Sequence, residues 1–233
     1  MSREIRAYAG ALLLLQALAA CSGENNAANQ ATGARADANA AAVPAPQQQT
    51  KLVVAFGDSL YAGYGLAQRE SLPAALQRAL ATQDIAATVV NAGVSGDTTA
   101  AGLRRLAFTL DGLARKPDLA MISLGGNDML RGVDPAETRA NLTAICDELQ
   151  RRGIPILLTG MIAAPNLGRD YAARFNPIYA DLAKRYDAAL YPFLLDGVIT
   201  DPRLMQRDRV HPTAQGIDAI VTRVAPVVAA RLR

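Results

Sequence analysis

From residue 51 onward, short apolar runs alternate with longer segments whose apolar residues recur every three or four positions. No other feature restricts the chain's fold as much. The runs are residues 52–56, 87–90, 119–124 and 154–158, with a weaker one at 189–193. Each is too short for a helix and reads as a strand buried on both faces. Between them, Leu103, Leu106 and Leu110 share one helical face, as do Leu142, Ile145, Cys146 and Leu149. The second of these helices opens on Asp134-Pro135-Ala136-Glu137, which supplies a cap, a first-turn proline and an acid three residues after the cap. Gly153 closes it. A last helix carries Ile217, Ile220, Val221 and Val224, and Pro226 is expected to disturb it. Strand–helix alternation predicts an α/β domain with a doubly wound parallel sheet and helices on both faces. Cys146, on an apolar face, is expected in the core rather than in a site.

The first 50 residues belong to a different kind of sequence. Arg3 and Arg6 precede a 14-residue apolar stretch, residues 7–20, short of the roughly 20 residues needed to span a bilayer. This is the layout of an export signal. It ends Leu18-Ala19-Ala20-Cys21, which resembles a bacterial lipobox. That resemblance implies cleavage before Cys21 and lipidation of its thiol, and Ser22 resembles an outer-membrane sorting residue. Residues 22–50 hold ten alanines and only one large aliphatic side chain, Val43, too little to build a core. The expected division is a lipoprotein signal at 1–20, lipidated Cys21 and a tether at 21–50, and one domain at 51–233.

In a doubly wound sheet, sites form beyond the carboxyl ends of the strands. Four distinctive blocks fall there or just before the last helix: Gly57-Asp58-Ser59-Leu60, Asn91-Ala92-Gly93-Val94-Ser95-Gly96-Asp97, Gly125-Gly126-Asn127-Asp128 and Asp208-Arg209-Val210-His211. Other chemistries find less support. The net charge of +3 comes from 24 basic residues scattered among 21 acidic ones, with no basic run interleaved with aromatics, so a nucleic-acid groove is excluded. Two cysteines, one histidine and no CxxC argue against a zinc site. Gly63-Tyr64-Gly65 lacks the third glycine of a dinucleotide loop, and no phosphate-binding GxxxxGK[ST] occurs.

Ser59 and His211 suit nucleophilic catalysis. A serine hydroxyl needs a neighbouring base, and the chain has a single histidine to supply an imidazole. Asp208, three residues earlier, can reach the other ring nitrogen and fix the tautomer. Asp58 and Asp128 read as structural acceptors of backbone N–H groups. Asp97 is a candidate cap for the helix that follows.

The four blocks together resemble the SGNH (GDSL) hydrolases, whose blocks carry Ser, Gly, Asn and His. The likeness covers roughly residues 51–230 and is nearest to the bacterial thioesterase I, lysophospholipase and arylesterase subgroup. It implies a flavodoxin-like three-layer α/β/α sandwich with a five-stranded parallel sheet. It implies a catalytic Ser59, Asp208 and His211. It also implies an oxyanion hole from the backbone N–H groups of Ser59 and Gly96 and the side-chain amide of Asn127. The expected reaction is hydrolysis of aryl or short-to-medium acyl esters, lysophospholipids and acyl thioesters, with no metal or other cofactor and no obligatory protein partner. Residues 129–133 and 160–171, including Ile162, Pro165 and Leu167, are candidate walls of an acyl groove. The alternative is a carbohydrate O-acetylesterase acting on envelope polysaccharide, for which the absence of tryptophan leaves little to stack on sugars. The expected location is the bacterial cell envelope, anchored through Cys21 to the outer membrane and facing the periplasm.

Overall fold

The structure is a computed structural model in which residues 49–233 are described. The signal at 1–20, Cys21 and nearly all of the tether lie outside the described residues. Five parallel strands, β1 (Lys51–Gly57), β2 (Ala87–Gly93), β3 (Leu119–Ser123), β4 (Ile156–Thr159) and β5 (Ala189–Tyr191), form one sheet in the order β2-β1-β3-β4-β5. The helices are α1 (Ser59–Ala62), α2 (Leu72–Ala81), α3 (Thr99–Asp111), α4 (Gly126–Leu130), α5 (Pro135–Arg151), α6 (Gly168–Phe175), α7 (Ile178–Tyr186) and α8 (Ala214–Leu232). Every residue of β3 and β4 is buried, as expected of strands covered on both faces, whereas the edge strand β2 is largely accessible.

Handedness sorts the helices. The connection from β1 to β2 runs one way along the sheet, and those from β2 through β5 run the other way. Right-handed crossovers therefore put α2 on one face and α3, α5 and α7 on the opposite one. The contacts agree: α2 packs on α8, while α3, α6 and α7 pack on α5. The connections leaving β1 and β3 run in opposite directions along the sheet, which makes the gap between these strands the switch point beyond which open α/β sheets bind ligands.

Local signals behave as the residues predict in most places. Asp134 caps α5 by accepting the Ala136 N–H at 2.8 Å, Pro135 follows it, and Gly153 takes φ +63° just past the end. Cys146 is fully buried on the core side of α5. Two expectations need correction. Thr98, not Asp97, caps α3, its hydroxyl accepting the Ala101 N–H at 3.2 Å; Asp97 is drawn instead to Arg105. α8 also continues through Pro226. Pro226 and Thr222, whose carbonyl the proline leaves unpaired, are both exposed, so water can serve that group while Val224 and Val228 stay packed.

Candidate active site

The first three blocks stand at the carboxyl ends of β1, β2 and β3. Gly57 closes β1 and is paired in register with Gly93 on β2 and Ser123 on β3. The chain then turns into α1, where Asp58 Oδ1 accepts the Leu60 N–H at 3.0 Å and acts as its cap. Ser59 is the first helical residue and lines the cleft. Helix α1 can settle against the end of β2 because Gly93 has no side chain: a Cβ there would stand 2.3 Å from the Ala62 nitrogen.

His211 arrives on a closed loop ahead of α8. Met205 and Pro212 pair as an antiparallel bridge, and the Gln206 N–H donates to the His211 carbonyl at 2.7 Å. From this loop His211 Nε2 lies 2.9 Å from Ser59 Oγ, and its Nδ1 lies 2.7 Å from Asp208 Oδ2. Asp208 Oδ1 accepts the backbone N–H groups of Val210 and His211 at 2.9 and 3.0 Å, so the turn that carries the imidazole also fixes the carboxylate. The hydrogen bond from His211, helped by those two N–H groups, holds Asp208 down to about 2. It is therefore a carboxylate throughout the neutral range. Ser59, Asp208 and His211 are thus in a hydrogen-bonded line.

Gly96 and Asn127 line the same cleft. Neither the Ser59 nor the Gly96 backbone N–H donates to a protein acceptor among the described residues. Gly96 has φ +86°, a conformation that a side chain would strain. Three side chains hold its loop. Arg131 donates to the Gly96 carbonyl at 2.8 Å, and Asn127 Nδ2 donates to the Asp97 carbonyl at 3.0 Å. Arg105 grips the Asp97 carboxylate at 2.6 Å and the Gly57 carbonyl at 2.9 Å, tying this loop to the end of β1. Asp128, expected to be structural, receives the Thr99 N–H at 2.8 Å and the Thr99 hydroxyl, which joins α4 to the start of α3.

Asp58 is the second carboxylate of the site and is only 3% exposed. Burial pushes it up to about 6, against the pull of the Leu60 N–H and of a positive charge on His211. Its Oδ2 lies 3.5 Å from Asn127 Nδ2, so a buried negative charge sits beneath both the serine turn and the asparagine. Among the described residues, no group of three or more His, Cys, Asp or Glu side chains is arranged to hold a metal ion.

The cleft has a volume of about 610 Å³. Both expected walls contribute, through Met129 and Leu130 from one and Met161, Ile162 and Pro165 from the other. Leu167 instead packs toward the core, because its segment continues into a short 3-10 turn and α6. A third wall, Phe193, Leu195 and Ile199, follows β5 and was not expected from the sequence. Arg105 and Arg131 were not expected in these roles either.

Comparison with known proteins gives the same picture. The model of a family described as GDSL-like lipase/acylhydrolase matches residues 55–219. Esterase TesA of Pseudomonas aeruginosa is 39% identical over 180 residues, 77% of this chain and 88% of that protein. The thioesterase 1/protease 1/lysophospholipase L1 of Escherichia coli K12 is 38% identical over 157 residues, 67% of this chain and 73% of its own. Among solved structures, AlinE4, an SGNH-hydrolase family esterase, is 54% identical with a TM-score of 0.68, over 80% of this chain and 98% of that one.

Proposed function

Because the chain belongs to the GDSL-like lipase/acylhydrolase family, we propose that it is a serine esterase that cleaves carboxylic esters through an acyl-Ser59 intermediate. The observation that carries this reading is the line of hydrogen bonds from Ser59 Oγ through both nitrogens of His211 to Asp208, at 2.9 and 2.7 Å. The Ser59 hydroxyl attacks the ester carbonyl while His211 Nε2 takes its proton, and Asp208 holds the proton on Nδ1 and stabilises the imidazolium. Negative charge gathers on the carbonyl oxygen, which the N–H groups of Ser59 and Gly96 and the Asn127 amide receive. His211 returns its proton to the departing alcohol as the ester C–O bond breaks. Water, activated by the same imidazole, then releases the acid and restores the hydroxyl. Asn127 Nδ2 keeps one N–H on the Asp97 carbonyl and turns the other, which faces Asp58 Oδ2 at 3.5 Å in the resting site, to the oxyanion.

The cleft wall supports the substrate class. Tyr64, Leu130, Ile162, Ile199 and Val210 line it and stay exposed, which suits an acyl chain or aryl group better than a sugar. Aryl and short-to-medium acyl esters, lysophospholipids and acyl thioesters are the expected substrates. A profile of the purified protein against p-nitrophenyl esters of increasing acyl length, lysophosphatidylcholine and acetylated xylan tests this. A rise in kcat/KM from acetyl toward medium chains is expected, together with turnover of the lysolipid. Activity confined to acetylated polysaccharide would replace it with the carbohydrate esterase alternative.

The same proposal extends to location. The lipobox-like Leu18-Ala19-Ala20-Cys21 supports anchoring by acyl chains at the cell envelope, in the outer membrane and facing the periplasm. No described helix is long and apolar enough to cross a membrane. Expressed in a bacterium, the native chain is expected to partition into the detergent phase of Triton X-114 and the Cys21→Ser chain into the aqueous phase. Equal detergent partitioning of the two would refute lipidation.

A further inference from the structure

The Ser–His–Asp line accounts for two edges of the imidazole of His211 and leaves its faces unexplained. One face is covered. The Tyr64 ring lies across it with centroids 4.4 Å apart and planes inclined by 31°, although Tyr64 itself is 52% exposed. An exposed aromatic ring held that close is anchored by its backbone. Gly63 and Gly65, at φ +84° and +73°, turn the chain out and back so that Tyr64 projects between them. Gln206 then fastens it, its side-chain amide donating to the Tyr64 carbonyl at 2.8 Å and to the Pro212 carbonyl at 2.9 Å. One glutamine therefore clamps the loop after the serine helix to the loop that carries His211.

We propose that Tyr64 is a positioning residue for His211: its ring, clamped by Gln206, fixes the plane of the imidazole and favours its protonated form during acyl transfer. The catalytic part of this statement rests on the esterase reading; the titration part does not. The face of an aromatic ring within about 6 Å attracts a cation through its quadrupole, the more so when water is excluded. During turnover the neutral imidazole gains its charge as the tetrahedral species forms, so this attraction is greater in the transition state than in the reactive resting enzyme. Other groups near the ring are Asp208 at Nδ1, the buried Asp58 below the serine turn, Ser59 at Nε2 and Arg209 on the same loop. None of them changes when Tyr64 is replaced.

The sign of the effect separates this role from simple shielding. A ring that merely kept water away would disfavour the charged imidazole, and its removal would raise the titration midpoint. A ring that attracts the cation does the opposite. His211 is the single histidine of the chain, so its imidazole C–H resonance can be followed by NMR without assignment. Residues 49–233 are suitable material, since AlinE4 was solved as a chain matched over 98% of its length by 80% of this one. In Tyr64→Leu the midpoint is expected to fall by about half a pH unit, with Tyr64→Phe unchanged because the ring is kept. The acid limb of kcat/KM should move by the same amount, and kcat should fall roughly twofold to fivefold in the leucine variant alone. A midpoint that stays or rises in Tyr64→Leu overturns the proposal, as does a Phe variant that behaves like Leu. Because the titration requires no turnover, it stands or falls separately from the esterase reading.

Discussion

Ser59→Ala is expected to remove ester hydrolysis almost completely, on the order of 10⁶-fold in kcat, as removal of the nucleophile does in unrelated serine hydrolases. The expectation follows from the pairing, since Ser59 is the one side chain among the described residues that hydrogen-bonds His211 Nε2. Cys146 is buried inside α5, and burial pushes its thiol up to about 12, so it offers no thiolate. The fold should not suffer. Ser59 Oγ has one hydrogen bond, to His211, and the helix it begins is capped by Asp58, which remains. The variant should keep its circular dichroism spectrum and a Tm within a few degrees of the parent. Activity within tenfold of the parent would remove Ser59 from the reaction.

Asp208→Asn is the more discriminating change. Asparagine can still accept the Val210 and His211 backbone N–H groups through its oxygen, so the turn is preserved. Its NH₂ then faces His211 Nδ1, where a carboxylate had accepted. That nitrogen must now accept, which moves the imidazole proton to Nε2 and leaves it donating to Ser59 Oγ rather than taking a proton from it. A fall of about 10³–10⁴ in kcat with little change in KM is expected. Since Asp208 is held at about 2, it does not set the acid limb of the parent's pH profile. A loss smaller than tenfold would mean that another carboxylate orients His211, and Asp58 would be the group to test next.

Much of this was legible in the sequence because the decisive features are local. Buried parallel strands are continuous apolar runs, and 52–56 and 119–124 stood out as such. The serine, glycine and asparagine blocks directly follow strands. Asp208 and His211 are three residues apart, so their contact is a property of one turn. What escaped was long-range. Arg131 reaches Gly96 across 35 positions, and Gln206 reaches the Tyr64 carbonyl across 142. No local pattern marks either one. The third wall of the cleft follows β5, a strand of three residues, Ala189–Tyr191, shorter than its apolar run suggested. Asp97 shows how a tertiary partner overrides a local preference. Asp97 and Thr98 are both good helix caps, but Arg105, which also donates to the Gly57 carbonyl, engages the Asp97 carboxylate and leaves the cap to threonine.

In the proposed reaction the loop that carries Gly96 forms one side of the oxyanion site. Arg131 and Asn127 take the Gly96 and Asp97 carbonyls, and the Asp97 N–H donates to the Val94 carbonyl, so the peptide dipoles of the loop are fixed. The cost of arranging these dipoles is met during folding, so none of it falls on the reacting substrate. Asp58 is the counterweight, a buried charge that the Leu60 N–H and the Asn127 amide keep in place.

Ser59 Oγ, activated by His211, is proposed as the atom acylated. Mass spectrometry after titration with a p-nitrophenyl organophosphate tests it most directly. One phosphoryl group per chain is expected on the peptide bearing Ser59, activity falling in proportion to labelling, with none incorporated by Ser59→Ala. Full activity in chains quantitatively modified at Ser59, or inactivation with the label on any other residue, would contradict it.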